Sequence, residues 1–248
     1  MKALLSETRH RPWALPAGPW VMAQRWHELL FAHWPVNAGV LQSLIPRQLA
    51  LDTFEGRAWI GVIPFRMSGV RLRGTPGVPG LSAFPELNVR TYVSNGGKPG
   101  VWFFSLDAAN AAAVAVARAW FHLPYFRARM RSVENAGWIE YGSVRRHPGS
   151  PEAELNVRYR GIGEEWEPRA GTLEHWWTER YCLYAADERG EIFRGEIHHR
   201  PWKLRNAEAE MRRNTMATAL GVALPEAAPV IYFSGEQDVR VWAPRRVA

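Results

Sequence analysis

From Phe84 to Asp107 the chain reads FPELNVRTYVSNGGKPGVWFFSLD, and between Glu86 and Val93 two kinds of residue alternate without a break. Successive side chains of a strand face opposite sides of the sheet. Glu86, Asn88, Arg90 and Tyr92 therefore share one face, and Leu87, Val89, Thr91 and Val93 the other. A carboxylate, an amide, a guanidinium and a phenol in register suit a polar cavity as well as a solvated face. The Asn95-Gly96-Gly97 cluster reads as a hairpin turn, because Asn and Gly tolerate positive φ. This hairpin commits the chain to an antiparallel sheet and marks its best site candidate.

The rest of the chain is consistent with one domain over residues 1–248. Residues 1–20, rich in Pro, Trp and Arg, read as an extended arm. Strands are expected at Val21–Leu30, Arg57–Val70, Trp138–Arg146, Glu154–Arg160, through Tyr184, at Glu191–His199, Val230–Phe233 and Val239–Trp242. Helices are expected within Val36–Gln48, over Ala108–Trp120 with Asp107 as N-cap, from Gly171-Thr172 to Arg180, and over Asn206–Leu220 closed by Gly221. Many short strands with a few helices argue for α+β architecture around a large antiparallel sheet, curled or closed. Glu86-Leu87-Asn88-Val89-Arg90 recurs as Glu154-Leu155-Asn156-Val157-Arg158, which supports both segments as strands.

Composition narrows the function classes. The net charge is +7, but the basic residues are scattered, with short clusters at Arg127/Arg129/Arg131 and Arg245-Arg246. No specific nucleic-acid partner is expected from such a distribution. No apolar run reaches membrane-spanning length and none resembles a signal peptide, so a cytoplasmic protein without a membrane partner is expected. Cys182 is the one cysteine and reads as a buried hydrophobe. Adjacent His198 and His199 face opposite sides of a strand and cannot share an ion, so no metal is expected. His33 and His199 read as structural histidines, and Glu179-Arg180-Tyr181 as a helix-end ion pair.

A succession of short motifs runs in order through the chain. They are Trp26-His27, His33-Trp34-Pro35, Pro64-Phe65-Arg66-Met67, Phe84–Val93, Gly100–Asp107, Arg118 through Leu123-Pro124-Tyr125, Leu173 through Tyr181, and His199 through Trp202. Together they resemble the uncharacterised YqjF-like conserved family, over roughly Trp20 to Trp242. That family is similar to the acetoacetate decarboxylase-like superfamily. The resemblance implies a closed, cone-shaped antiparallel barrel around a polar cavity, with the Glu86 face inside it. Enzymes of that superfamily form a Schiff base through a lysine in a Leu-Pro-Lys-Lys-like segment that follows an arginine. Here the matching segment is His122-Leu123-Pro124-Tyr125-Phe126-Arg127, after Arg118, and neither Tyr125 nor Phe126 can form an imine.

Two readings of the polar face stay open. In the first it binds a small organic acid, a carboxylate or keto acid, with no cofactor and no Schiff-base lysine. Arg90 and Arg118 would hold the anion, Glu86 and Asn88 orient it, and Tyr92 or Tyr125 bond a carbonyl; any chemistry would be acid–base work by Glu86. In the second the polar interior is an internal ion-pair network in a non-catalytic protein, whose aromatic exterior mediates self-association as a homo-oligomer or partner binding. Hairpin register separates them. If Tyr92 pairs near Phe103, Ser105 falls opposite Arg90 and Asp107 opposite Asn88, which neutralises the cation; a slip of one residue brings Phe104 there instead.

Overall fold

The computed structural model describes residues 2–78 and 80–247. The first strands are β1 (Met22–Val36), β2 (Ala50–Leu51), β3 (Ala58–Leu72), β4 (Phe84–Asn95) and β5 (Lys98–Ala108). Then come β6 (Tyr125–Asn135), β7 (Trp138–Arg145) and β8 (Glu154–Trp166). The last are β9 (Cys182–Ala186), β10 (Ile192–His198), β11 (Leu204–Asn214), β12 (Val230–Val241) and β13 (Arg245–Val247). Helix α1 (Lys2–Ser6) precedes them, and α2 (Ala38–Ser43), α3 (Ala111–Phe121) and α4 (Leu173–Thr178) lie between them. None of the described helices is long and apolar enough to cross a membrane.

Strand pairing closes twice. One ring of nine strands runs β5–β6–β7–β8–β11–β12–β1–β3–β4 and returns to β5. A second ring of seven strands runs β5–β9–β10–β12–β1–β3–β4. The two share the wall β12–β1–β3–β4–β5. Pairing is antiparallel except where β5 meets β6 and β9. The α+β class and the closed, largely antiparallel sheet are as expected, with two rings instead of one barrel.

A wall shared by two rings must be buried on both faces, which explains the unbroken apolar run of β3. Ile60 and Val62 pack into the core of the nine-stranded ring, and Ile63 and Phe65 turn into the seven-stranded one. The same parity splits Leu30 and Ala32 from Leu29 and Phe31 on β1. It also explains the repeated pentapeptide. Leu87 and Val89 of β4 and Leu155 and Val157 of β8 meet in one core, but the polar faces part. Glu86 and Asn88 turn into the second ring, whereas Arg158 of β8 turns outward to Glu210.

Several local expectations are corrected. Asn206–Leu220 is not a helix: Leu204–Asn214 is strand β11, and only Thr218–Leu220 forms a 3-10 turn, ended by Gly221 at φ 76°. Its Ala, Glu, Met and Arg content favours a helix, but pairing with β8 and the cross-strand pairs Glu208–Arg160 and Glu210–Arg158 override that weak preference. Asp107 is not an N-cap; it belongs to β5, and α3 begins at Ala111. Val230–Val241 is one strand where two were expected. Strand β6 was not anticipated, although Arg127, Arg129 and Arg131 alternate with the inward Ala128 and Met130, a period-two signal. The N-terminal arm is not extended throughout: α1 opens it, and Arg11 Nη1 then bonds the Ile197 carbonyl at 2.6 Å while Trp13 Nε1 bonds Glu196 at 2.9 Å.

Candidate functional site

The β4–β5 turn sets the site. Asn95 pairs with Lys98, so the loop is the two residues Gly96 and Gly97, at φ 57° and 73°. This closes the hairpin more tightly than either expected register. Tyr92 pairs with Val101 and Arg90 with Phe103; a bulge at Val89/Arg90 then sets Ser105 opposite Val89 and Asp107 opposite Leu87. The bulge flips Ser105 and Asp107 onto the apolar face of β4, away from Arg90. Neither lines the cavity with Arg90, contrary to the sequence expectation.

All seven strands of the smaller ring contribute to a cavity of about 180 Å³. Glu86, Asn88 and Arg90 line it from β4, Tyr125 from β6, and Trp177, Thr178 and Arg180 from α4 and the segment after it. Most of the remaining lining is apolar, including Leu29, Phe65, Phe103 and Ile197. Among the described residues no lysine lines it; Lys98 is ion-paired to Glu196 at 3.0 Å and Lys203 is exposed.

Glu86 is 3% exposed and accepts the Tyr125 hydroxyl at 2.8 Å. Burial pushes its carboxyl up to about 8; the Tyr125 hydrogen bond opposes this and the Asp107 charge adds to it. Glu86 therefore carries its proton at neutral pH and can donate it into the cavity. Burial likewise drives the Tyr125 phenol far above its ordinary value, assisted by Glu86. The pair is an uncharged hydrogen-bonding unit.

Four residues along the strand, Arg90 is in a different state. Among the described residues it has no ion-pair partner, and its Nε is buried without a hydrogen bond. Its guanidinium lies 5.5 Å from the Phe31 ring centre and 5.6 Å from that of Tyr92. Tyr92 does not line the cavity. It backs Arg90, fully buried, with its hydroxyl 2.6 Å from His33 Nε2. Burial, with Arg90 nearby, holds His33 well below its ordinary range and hence neutral. Burial also raises the Tyr92 phenol, so the hydroxyl keeps its proton beside the neutral His33.

Arg180 joins Arg90 at this end, 5.0 Å from the Tyr92 ring centre. Asp52 holds it at 2.5 Å, as does the Trp176 carbonyl at 2.6 Å, yet its Nη2 lacks a partner. The expected helix-end ion pair thus exists, but with Asp52 instead of Glu179. Thr172 caps α4 through His175 N and so sets where Arg180 emerges, but nothing local names Asp52 as the partner. His199, stacked on Tyr181 at 4.7 Å, also lines the cavity and is lowered by burial. His198 turns the other way, towards the Leu4 carbonyl at 2.8 Å. Cys182 lines the cavity with its thiol pushed up to about 11 by burial.

Other predicted residues lie elsewhere. Asp107 is in the nine-stranded ring, bonded to Arg145 at 2.8 Å. Ser105 is buried there with its hydroxyl unpartnered. Arg118 is exposed on α3 and donates to the Tyr125 carbonyl at 2.8 Å; it holds the Tyr125 backbone from outside the cavity. No group of three or more His, Cys, Asp or Glu that could hold a metal occurs among the described residues.

A family model described as an uncharacterized conserved protein, DUF2071, matches residues 23–238. The uncharacterized protein YqjF of Bacillus subtilis is 46% identical over 233 residues, which cover 94% of this chain and 95% of YqjF. Among solved structures, acetoacetate decarboxylase from Legionella pneumophila matches with a TM-score of 0.63 at 14% identity, over 96% of this chain and 91% of that one. The enduracididine biosynthesis enzyme MppR, solved with pyruvate, matches with a TM-score of 0.63 at 12% identity, over 96% and 93%. At such identities the structural likeness carries fold alone. With the sequence match spanning nearly the whole sheet, the chain belongs to the DUF2071 family of YqjF-like proteins, on an acetoacetate decarboxylase-like fold.

Proposed function

We propose that the seven-stranded ring binds a small carboxylate or keto acid, with Arg90 as the anion-binding cation. One observation carries this reading: Arg90 faces an apolar cavity with no carboxylate to neutralise it. Arg90 is half-buried with its Nε shielded and unpartnered, and an incoming carboxylate would give it a charge-assisted hydrogen bond. Glu86 is neutral and Arg180 is balanced by Asp52, so the charge balance suits one negative group. Asn88, two residues from Arg90, has a free Oδ1 and an amide to orient the acid.

If chemistry follows, the Glu86–Tyr125 pair is the group that could supply a proton to a carbonyl. That favours lyase- or hydratase-type proton transfer over imine formation, since no described lysine lines the cavity. The reading of the interior as a structural network draws its support from Asp107–Arg145, but that pair lies in the other ring. The test is a thermal-shift panel of organic acids on wild type and Arg90→Ala. Stabilisation of wild type alone supports the reading, and no stabilisation by any acid overturns it.

A further inference from the structure

The order of groups along β4 constrains the ligand further, given that Arg90 takes the carboxylate as proposed above. Strand residues advance about 3.3 Å each, so the Arg90 and Glu86 backbones stand about 13 Å apart on one cavity face. With a hydrogen bond of about 3 Å at each end, roughly 7 Å remains between the two ligand oxygens they would hold. An α- or β-keto oxygen sits too near its own carboxylate to span this. It would reach Asn88, whereas the protonated Glu86 would meet only a more distant oxygen. Beyond Glu86 the lining is mostly apolar, with Phe84, Met67, Val70 and Met22 beside Gln24. At roughly 10–15 Å³ per water, the 180 Å³ cavity holds on the order of a dozen non-hydrogen atoms.

We infer that the ligand is a medium-chain monocarboxylic acid carrying a keto or hydroxyl oxygen about six bonds from the carboxylate. Arg90 binds the carboxylate, the Glu86–Tyr125 pair hydrogen-bonds the distal oxygen, and the chain's end packs on Phe84 and Met67. Apart from Asn88, the walls between the two polar stations are apolar, with Ile63 and Leu106 beside it, and favour methylenes over further polar groups. Glu86 is kept neutral so that it donates to an uncharged oxygen, a role a carboxylate could not fill.

Calorimetric titration with acids of graded length tests this. Octanoate should bind more tightly than pyruvate or acetoacetate, and an eight-carbon acid with a ketone on its penultimate carbon should bind about tenfold more tightly than octanoate. Moving the ketone to the third carbon should remove that gain. Glu86→Met should lose the gain yet keep octanoate binding, and Glu86→Gln, which still has a donor, should retain it. Tighter binding of the short keto acids, or an unchanged gain in Glu86→Met, overturns the inference but leaves carboxylate binding standing. Should Glu86→Met not fold, the wild-type length and ketone-position series decides alone. Octanamide binding as well as octanoate, or no acid binding at all, removes the carboxylate reading itself.

Discussion

Asp107 and Arg145 meet at 2.8 Å inside the nine-stranded ring, on the opposite face of the shared wall from Arg90. Their side chains are 0% and 2% exposed. The hairpin bulge that sends Asp107 to this face leaves Arg90 without a carboxylate. One backbone irregularity thus separates a structural ion pair from a candidate anion site.

Arg145→Ala should destabilise the fold by about 3–5 kcal/mol, because the Asp107 carboxyl is left buried without its partner. Pairing it with Asp107→Leu should recover much of that loss. Urea denaturation of the single and double variants measures both. Equal stability of the single variant and wild type would show that the pair contributes nothing.

Glu86 predicts an unusual pH dependence. Its folded-state value of about 8 lies above its ordinary 4.5, so its contribution is complete below about 4.5 and is lost as pH rises through about 8. Asp107, raised to about 6 chiefly by burial, has the same sign but is spent at lower pH. His33 and His199 are lowered, so they weaken the fold only as pH falls below about 6.5. Between pH 6.5 and 8 Glu86 therefore dominates; the other groups facing it, Tyr125 and Tyr141, stay protonated. Wild type should lose roughly 1.4 kcal/mol per pH unit relative to Glu86→Gln across this window. A pH-independent difference between the two proteins rules this out.

Arg90→Ala should leave unfolding in ligand-free buffer within about 1 kcal/mol of wild type, since no ion pair is broken. Its acid-induced thermal shift should vanish, and Arg90→Lys should restore only part, because an ammonium lacks the planar fork that pairs with a carboxylate. A large loss of stability without ligand would instead place Arg90 in a structural network.

Closure of the smaller ring depends on Gly100. A Cβ there would lie 2.7 Å from the Cys182 carbonyl and 2.8 Å from the Tyr184 ring, where β5 meets β9 through Val101–Leu183 and Trp102–Tyr184. Gly100→Ala should cost about 1–3 kcal/mol by chemical denaturation. It should also weaken ligand binding, because Cys182 and Leu183 line the cavity. Unchanged stability would mean that β9 can shift freely.

The polar stripe of β4, the tight turn after it and most strands were legible because period-two alternation and positive-φ residues are local properties of the chain. The two-faced burial of β3, not anticipated from the strand pattern, accompanies the apolar run from Ala58 to Phe65. What composition misreported was β11, where helix-favouring residues became a strand through pairing with β8. Glu86, Asn88, Arg90 and Tyr125 could be named as candidates from the alternation and from the lost-lysine segment. Three assignments needed the fold: Asp107 to Arg145, Arg180 to Asp52, and Arg118 to the outer surface. The sequence by itself determined which side chains share a strand face. Only the tertiary structure decided what each face meets, because one bulged residue reverses a strand's sidedness and ion-pair partners 38 or 128 residues apart are chosen by ring closure.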